Sequence, residues 1–167
     1  MLVKKLAAAA AAAVVMSTAG FGASAAEIVV NGSTTVLPIV QKALEGYSHE
    51  AGAAAISLSG GGSGNGIKAL IDGLTDVAMS SRDIKTSETD LAKSRGVTPY
   101  RIPVAVDAIV PVVNNANPVK NVTLATLKAI YEGKIRNWKD VGGKNAPIVV
   151  VSRDSSSGTF ETWEELV

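Results

Sequence analysis

The chain has 167 residues, with 16 lysines and arginines, 15 acidic residues, one histidine and no cysteine. A charge this close to neutral does not suit a nucleic-acid partner, because nucleic acids require a basic surface. With one histidine and no cysteine, a metal centre and a serine–histidine catalytic triad are both unexpected, and no disulfide can form.

Residues 1–26 have the three-part pattern of a secretory signal peptide. Two lysines are followed by an apolar run over residues 6–16, and Ala23-Ser24-Ala25 is a small-x-small site, with cleavage after residue 25 or 26. The run is too short to cross about 30 Å of hydrocarbon. Removal of this segment leaves 14 basic and 15 acidic residues. We expect an exported, periplasmic protein without a lipid anchor, because no cysteine is available for lipid attachment.

From residue 28 onward, β-branched runs alternate with amphipathic stretches. The pattern predicts strands over residues 28–30, 54–58, 77–79, 98–102, 104–113 and 148–151. It predicts helices over residues 36–47, 67–71, 87–94 and 123–132, and from Gly158 onward. The repeated strand–loop–helix order indicates an α/β fold with a mostly parallel sheet. Because the sequence stops inside the last predicted helix, we expect it to be truncated at its C-terminus.

Four loops between a predicted strand and a predicted helix share one composition, rich in serine, threonine or glycine. They span residues 32–35, 62–66, 80–83 and 153–159. The first turn of a helix has free N–H groups and a partial positive charge, which together attract anions. Serine and threonine before a helix also serve as ordinary N-caps. Because parallel sheets bring such loops to one edge, four of them favour a shared anion site.

Two arginines lie in these loops, and each has a simpler alternative role. Arg153 follows an apolar predicted strand and could grip an oxyanion through two parallel hydrogen bonds; alternatively, it pairs with Asp154 at the surface. Arg82 is placed comparably, and its alternative partner is Asp83. The glycine loop matches neither the dinucleotide fingerprint nor the P-loop, so no nucleotide cofactor is expected.

Four sequence stretches resemble the phosphate-binding proteins of ABC importers, which have the type II periplasmic binding protein fold. They are Gly-Ser-Thr-Thr-Val-Leu-Pro from Gly32, Ser-Gly-Gly-Gly-Ser-Gly-Asn-Gly-Ile from Ser59, Arg-Asp-Ser-Ser-Ser-Gly-Thr-Phe from Arg153, and the segment from Ala129 to Trp138. The resemblance covers essentially all of residues 28–167. It implies two α/β lobes joined by a hinge, with lobe 1 over residues 27–105 and an incomplete lobe 2 over residues 106–167.

The resemblance also implies a phosphate site between the lobes and no catalytic residue. The implied ligand contacts are Thr34, Thr35, Ser63, Arg153, Ser157, Gly158 and Thr159. From their positions in the sequence we add Ser81, Arg82 and Asp107 as candidate contacts. Many family members have an aspartate where this chain has Ser81, and that carboxylate accepts the phosphate proton. Asp107 interrupts an apolar run and is our preferred substitute, with Asp83 and Asp154 as alternatives; a solvent-facing role for Asp107 is equally compatible with the sequence.

We therefore expect a monomeric solute-binding protein that captures inorganic phosphate and delivers it to the membrane permease of an ABC importer. Three alternatives stay open at this point. The ligand could be sulfate, molybdate or tungstate, since the acceptor that distinguishes phosphate is not fixed. The chain could be a sensing or adhesive module without an importer. A phosphate-ester hydrolase is a third alternative, but it needs a nucleophile with a base, or metal ligands.

Overall fold

The computed structural model of the protein describes residues 27–167. The predicted signal peptide over residues 1–26 lies outside the described residues. Within the described part, no helix combines the length and the apolar character needed to cross a membrane.

Three strand–helix units form the first part of the chain. Their elements are β1 (Ile28–Gly32), α1 (Leu37–Tyr47), β2 (Ile56–Gly60), α2 (Ser63–Ile71), β3 (Val77–Met79) and α3 (Thr86–Ser94). The strands form a parallel sheet in the order β2-β1-β3, with Val30 opposite both Leu58 and Val77. The predicted α/β fold with a parallel sheet is confirmed, and all three carboxyl ends lie at one edge.

The buried core lies between the sheet and the helices that follow β2 and β3. Ile67 and Ile71 of α2 pack with Ala92 of α3, and Ile84 and Val97 cover this cluster. Ile67 and Ile71 are four positions apart and therefore lie on one side of α2, the side that packs against Ala92 of α3. The core therefore fixes α2, and with it the loop that precedes α2 at the carboxyl edge of the sheet.

The predicted strands over residues 98–102, 104–113 and 148–151 are wrong. In the structure these segments are not part of a sheet. The nearest feature to residues 148–151 is an isolated antiparallel bridge between Asn137 and Pro147. Val106, Val112 and Val151 are more than 80% exposed. A β-branched run favours an extended backbone, but a strand also needs a neighbouring strand to complete its hydrogen bonds. No such neighbour lies beside these segments within residues 27–167.

The last part of the chain contains α4 (Leu124–Tyr131), a 3-10 helix (Trp138–Val141) and α5 (Gly158–Leu166). Thr123 caps α4 by accepting the Thr126 N–H at 3.1 Å. The rings of Tyr131 and Trp163 lie 5.0 Å apart and join α4 to α5. The predicted helices over residues 123–132 and from Gly158 onward are confirmed. The division into lobes at residues 105 and 106 stays a prediction.

Candidate functional site

The N-terminus of α5 lies against the carboxyl edge of the sheet and brings three of the polar loops into contact. Gly158, the first residue of α5, is buried beside the side chains of Ser63 and Ser81. A Cβ atom added at Gly158 would lie 2.6 Å from the Ser81 hydroxyl oxygen and 3.0 Å from the Ser63 Cβ. A residue with a side chain would clash here, so glycine at position 158 allows the start of α5 to pack against the start of α2.

The loop after β1 supplies hydroxyl groups to the same place. Ser33 is buried, and its Oγ accepts the N–H groups of Thr35 at 3.2 Å and Val36 at 3.3 Å. In this turn Thr34 is exposed and Thr35 is half-buried. The Thr34 hydroxyl oxygen accepts a hydrogen bond from Arg153 Nη2 at 2.7 Å, and the Thr35 hydroxyl bonds the Thr159 hydroxyl at 3.2 Å.

The loop before α2 is held in place by buried contacts. Ser63 has no exposed surface, and its Oγ accepts the Ser81 N–H at 3.1 Å. The hydroxyl oxygens of Ser63 and Ser81 also lie 3.2 Å apart. Gly62 has a φ of +96°, a conformation that side chains rarely adopt. The two serines therefore place hydroxyl groups from the β2 and β3 loops side by side.

The loop before α5 is tied to the glycine loop by its own backbone and side chains. Ser156 accepts the Gly64 N–H at 3.1 Å through its carbonyl oxygen, and its hydroxyl donates to the Gly61 carbonyl at 3.2 Å. Ser157 is buried and caps α5 by accepting the Phe160 N–H at 3.4 Å. The single Ser156 hydroxyl proton is shared between the Gly61 carbonyl and the Asp154 carboxylate. The hydrogen bond from Ser156 holds the pKa of the Asp154 carboxyl below its usual range.

Several donors of the cluster remain available for a ligand. Among the hydrogen bonds formed within residues 27–167, none uses the backbone N–H of Thr34, Gly158 or Thr159. Such N–H groups at helix starts carry partial positive charge. Arg153 is exposed, and within the described residues its side chain makes one hydrogen bond, to Thr34. The arrangement can therefore offer N–H, hydroxyl and guanidinium donors to an oxyanion.

Arg82 occupies a different position from the other candidates. Its guanidinium makes two hydrogen bonds of 2.8 Å to the Glu88 carboxylate, and its Nε lies 2.7 Å from Glu161 Oε2. The hydrogen bond with Glu88 raises the pKa of Arg82, and the same bond lowers the pKa of Glu88. In this structure the donors of Arg82 are directed at carboxylates, with one more bond to the Asp83 carbonyl.

Asp107 lies on the wall of a cavity of about 490 Å³ next to the cluster. Thr35, Ser81 and Arg82 line the same cavity. The Asp107 side chain is exposed, and its Oδ1 accepts the neighbouring Ala108 N–H at 2.8 Å. Asp107 therefore lines the same cavity as the hydroxyl-bearing residues Thr35 and Ser81. Asp83 also lines this cavity, but its carboxylate pairs with Arg101 at 2.9 Å.

Comparison with known proteins gives the family of the chain. The profile of the PBP superfamily domain matches residues 17–167. The chain belongs to the PBP superfamily. It is 38% identical over 139 residues to the phosphate-binding protein PstS of Staphylococcus epidermidis, covering 81% of this chain and 43% of that protein. The resemblance noted in the sequence motifs is confirmed.

Two solved structures resemble this PBP superfamily chain. One is a putative phosphate ABC transporter substrate-binding protein from Clostridium perfringens, with bound phosphate. It is 38% identical to this chain and has a TM-score of 0.75. The match covers 84% of this chain and 55% of the Clostridium perfringens chain. The other is an ABC-type phosphate transport receptor from Vibrio cholerae, which is 34% identical and has a TM-score of 0.60. The match covers 83% of this chain and 54% of the Vibrio cholerae chain. This chain spans about half the length of the curated relatives it matches.

The sequence predicts correctly that the four loops meet, but it does not point to two residues that organise this candidate site. Ser156 is predicted only as part of its loop, although it bonds the glycine loop through both its carbonyl and its hydroxyl. Glu161 belongs to no predicted motif, although it contacts both Arg82 and Lys85. Nothing in the local sequence shows these partners, since Glu161 and Arg82 are 79 positions apart.

Proposed function

We propose that the chain captures inorganic phosphate and that the whole protein delivers it to the permease of an ABC importer, without chemistry on the ligand. The observation that carries the proposal is the convergence of the starts of α1, α2 and α5, with Arg153 at the edge, where it bonds Thr34. Uncharged donors of this kind hold an oxyanion without a strongly basic surface. The bound phosphate in the similar Clostridium perfringens structure supports this ligand.

In the proposed complex, phosphate replaces the contacts that the loops now make with one another. Its oxygens accept hydrogen bonds from the hydroxyl and N–H groups of the cluster and from the Arg153 guanidinium. The proposed contacts are Thr34, Thr35, Ser63, Ser81, Arg153, Ser157, Gly158 and Thr159. Because the Arg82 guanidinium is already paired with Glu88 and Glu161, we assign Arg82 a supporting role in place of direct ligand contact.

The proposed protein has two lobes with the ligand between them and is located in the periplasm. Residues 27–105 form lobe 1, residues 106–167 contribute to lobe 2, and the ligand lies where the loops of both meet. Two hydrogen bonds cross this division, one donated by Arg153 to Thr34 and one between the hydroxyl groups of Thr35 and Thr159. The signal-peptide pattern of residues 1–26 supports export to the periplasm. A monomer suffices, since all proposed ligand contacts come from one chain.

Calorimetric titration of the purified protein with inorganic phosphate tests the proposal. We expect saturable binding with one phosphate per chain, because the cluster forms a single site. Molybdate and tungstate, titrated separately, measure how far the site discriminates among tetrahedral oxyanions. Chloride at matched ionic strength is the control for general anion attraction. Absence of phosphate binding would overturn the proposed function.

Selectivity against sulfate is expected to depend on Asp107. We propose that its carboxylate accepts the phosphate proton, which sulfate lacks near neutral pH. The Asp107→Asn variant should lose roughly tenfold of the preference for phosphate, because an amide, unlike a carboxylate, can also donate a hydrogen bond to a sulfate oxygen. Competition titrations with phosphate and sulfate measure this ratio.

Asp83→Asn is the matched control for that experiment. Asp83 lines the same cavity, but its carboxylate is paired with Arg101. We expect its phosphate-to-sulfate ratio to stay at the parent value. An Asp107→Asn ratio that equals the parent ratio would mean that another group accepts the proton.

A further inference from the structure

A cluster of four charged side chains lies immediately behind the proposed phosphate site. Arg82, Lys85 and Glu88 come from the loop after β3 and the start of α3, whereas Glu161 comes from the first turns of α5. Glu161 Oε2 lies 2.7 Å from Arg82 Nε and 2.6 Å from Lys85 Nζ. The Arg82 and Glu161 side chains are 7% and 14% exposed, so these charges meet with little competition from water.

One side of this cluster is held together by hydrogen bonds that do not involve α5. Glu88 holds the Arg82 guanidinium by two bonds of 2.8 Å, and its Oε2 also accepts the Lys85 N–H at 2.8 Å, which caps α3. This bidentate hydrogen bond fixes both the orientation of the Arg82 guanidinium and its distance from the Glu88 carboxylate. Glu88 therefore fixes the position of the Arg82 guanidinium, and Glu161 is the α5 side chain that forms an ion pair with it.

We infer that Glu161 is a positioning residue: through Arg82 and Lys85 it holds the N-terminus of α5 over the phosphate site. The inference rests on the proposed function. Glu161 is the fourth residue of α5, one turn after Gly158, which contacts Ser63 and Ser81. Anchoring this turn keeps the Gly158 and Thr159 N–H groups aimed at the ligand and slows the opening that releases it.

The sign of the effect distinguishes positioning from simple electrostatics. Glu161 is a negative charge close to a site for an anion. If its charge alone mattered, neutralising it would strengthen phosphate binding, because repulsion would be removed. If it positions α5, neutralising it weakens binding, because the helix start is no longer held. The two roles therefore predict opposite changes in affinity.

The test compares Glu161→Gln with Glu164→Gln, which removes the same charge from an exposed position on the same helix. We expect the phosphate dissociation rate of Glu161→Gln to rise about tenfold to a hundredfold with little change in association rate, as for a partly buried charge pair. Glu164→Gln should match the parent. Stopped-flow mixing with the intrinsic fluorescence of Trp138 and Trp163 as the signal measures both rates, and thermal unfolding checks that the variants remain folded.

Unchanged or tighter phosphate binding by a folded Glu161→Gln variant would overturn the inference while leaving the proposed function intact. If the parent protein binds no phosphate, the proposed function fails, and amide hydrogen exchange then tests the anchoring. In that case faster exchange at the start of α5 in Glu161→Gln, but not in Glu164→Gln, supports anchoring. Equal exchange in the two variants overturns it.

Discussion

The Arg153→Ala variant is expected to bind phosphate with a dissociation constant about thirtyfold to several thousandfold higher than the parent, a loss of about 2–5 kcal/mol. The guanidinium is the one full positive charge that we place in contact with the ligand. Its Nη2 already lies 2.7 Å from the Thr34 hydroxyl at the edge of the cluster. Removal of the side chain deletes two directed, charge-assisted bonds, which the neutral donors cannot replace.

The effect should be confined to binding. Arg153 is exposed and its one side-chain hydrogen bond goes to Thr34, so the free energy of unfolding of the ligand-free protein should change by less than about 1 kcal/mol. Arg136→Ala is a suitable control, because the Arg136 Nε donates to the Gly133 carbonyl within its own turn, at 2.7 Å. Calorimetry on the two variants separates a specific contact from general loss of positive charge. Parent-like affinity in Arg153→Ala would place this arginine outside the site.

The first three strand–helix units were predictable from sequence because their information is local. The β-branched run over residues 28–30 and the amphipathic stretch over residues 36–47 each have a period that fits one type of element. The observed β1 and α1 differ from these predictions by only one or two residues at their ends. In α2 the difference is larger, since the helix begins at Ser63 and includes much of the predicted glycine loop.

The remaining structure depends on partners far away in the sequence, which local patterns do not specify. The apolar run over residues 104–113 has the composition of a strand, but the ladder that would make it one requires a neighbour. Arg82 shows the same limit for a side chain. The sequence offers Asp83 as the alternative partner of Arg82, yet the carboxylates that Arg82 contacts belong to Glu88 and Glu161, while Asp83 pairs with Arg101. Proximity in sequence is a weak guide to ion pairing in a folded chain.

The Gly66→Ala variant is expected to be less stable than the parent by about 1–3 kcal/mol, the usual cost of overpacking a tight interior. An alanine in a helix normally stabilises a protein relative to glycine by about 0.5–1 kcal/mol. At Gly66 that gain is outweighed. A Cβ there would lie 2.5 Å from the Gly32 Cα and 2.7 Å from the Asn31 carbonyl oxygen. Both are backbone atoms of β1, so α2 as a whole has to move away.

Gly46→Ala is the matched control, since Gly46 lies in α1 with no atom within 4 Å of its would-be Cβ. That variant should gain the ordinary helix stabilisation, so urea unfolding of the two variants should shift in opposite directions. Displacement of α2 also moves Ser63, one turn earlier, away from Ser81 and Gly158. Gly66→Ala should therefore weaken phosphate binding as well, whereas Gly46→Ala should not. Equal stability of the two variants would show that α2 does not pack against β1 as closely as the structure requires.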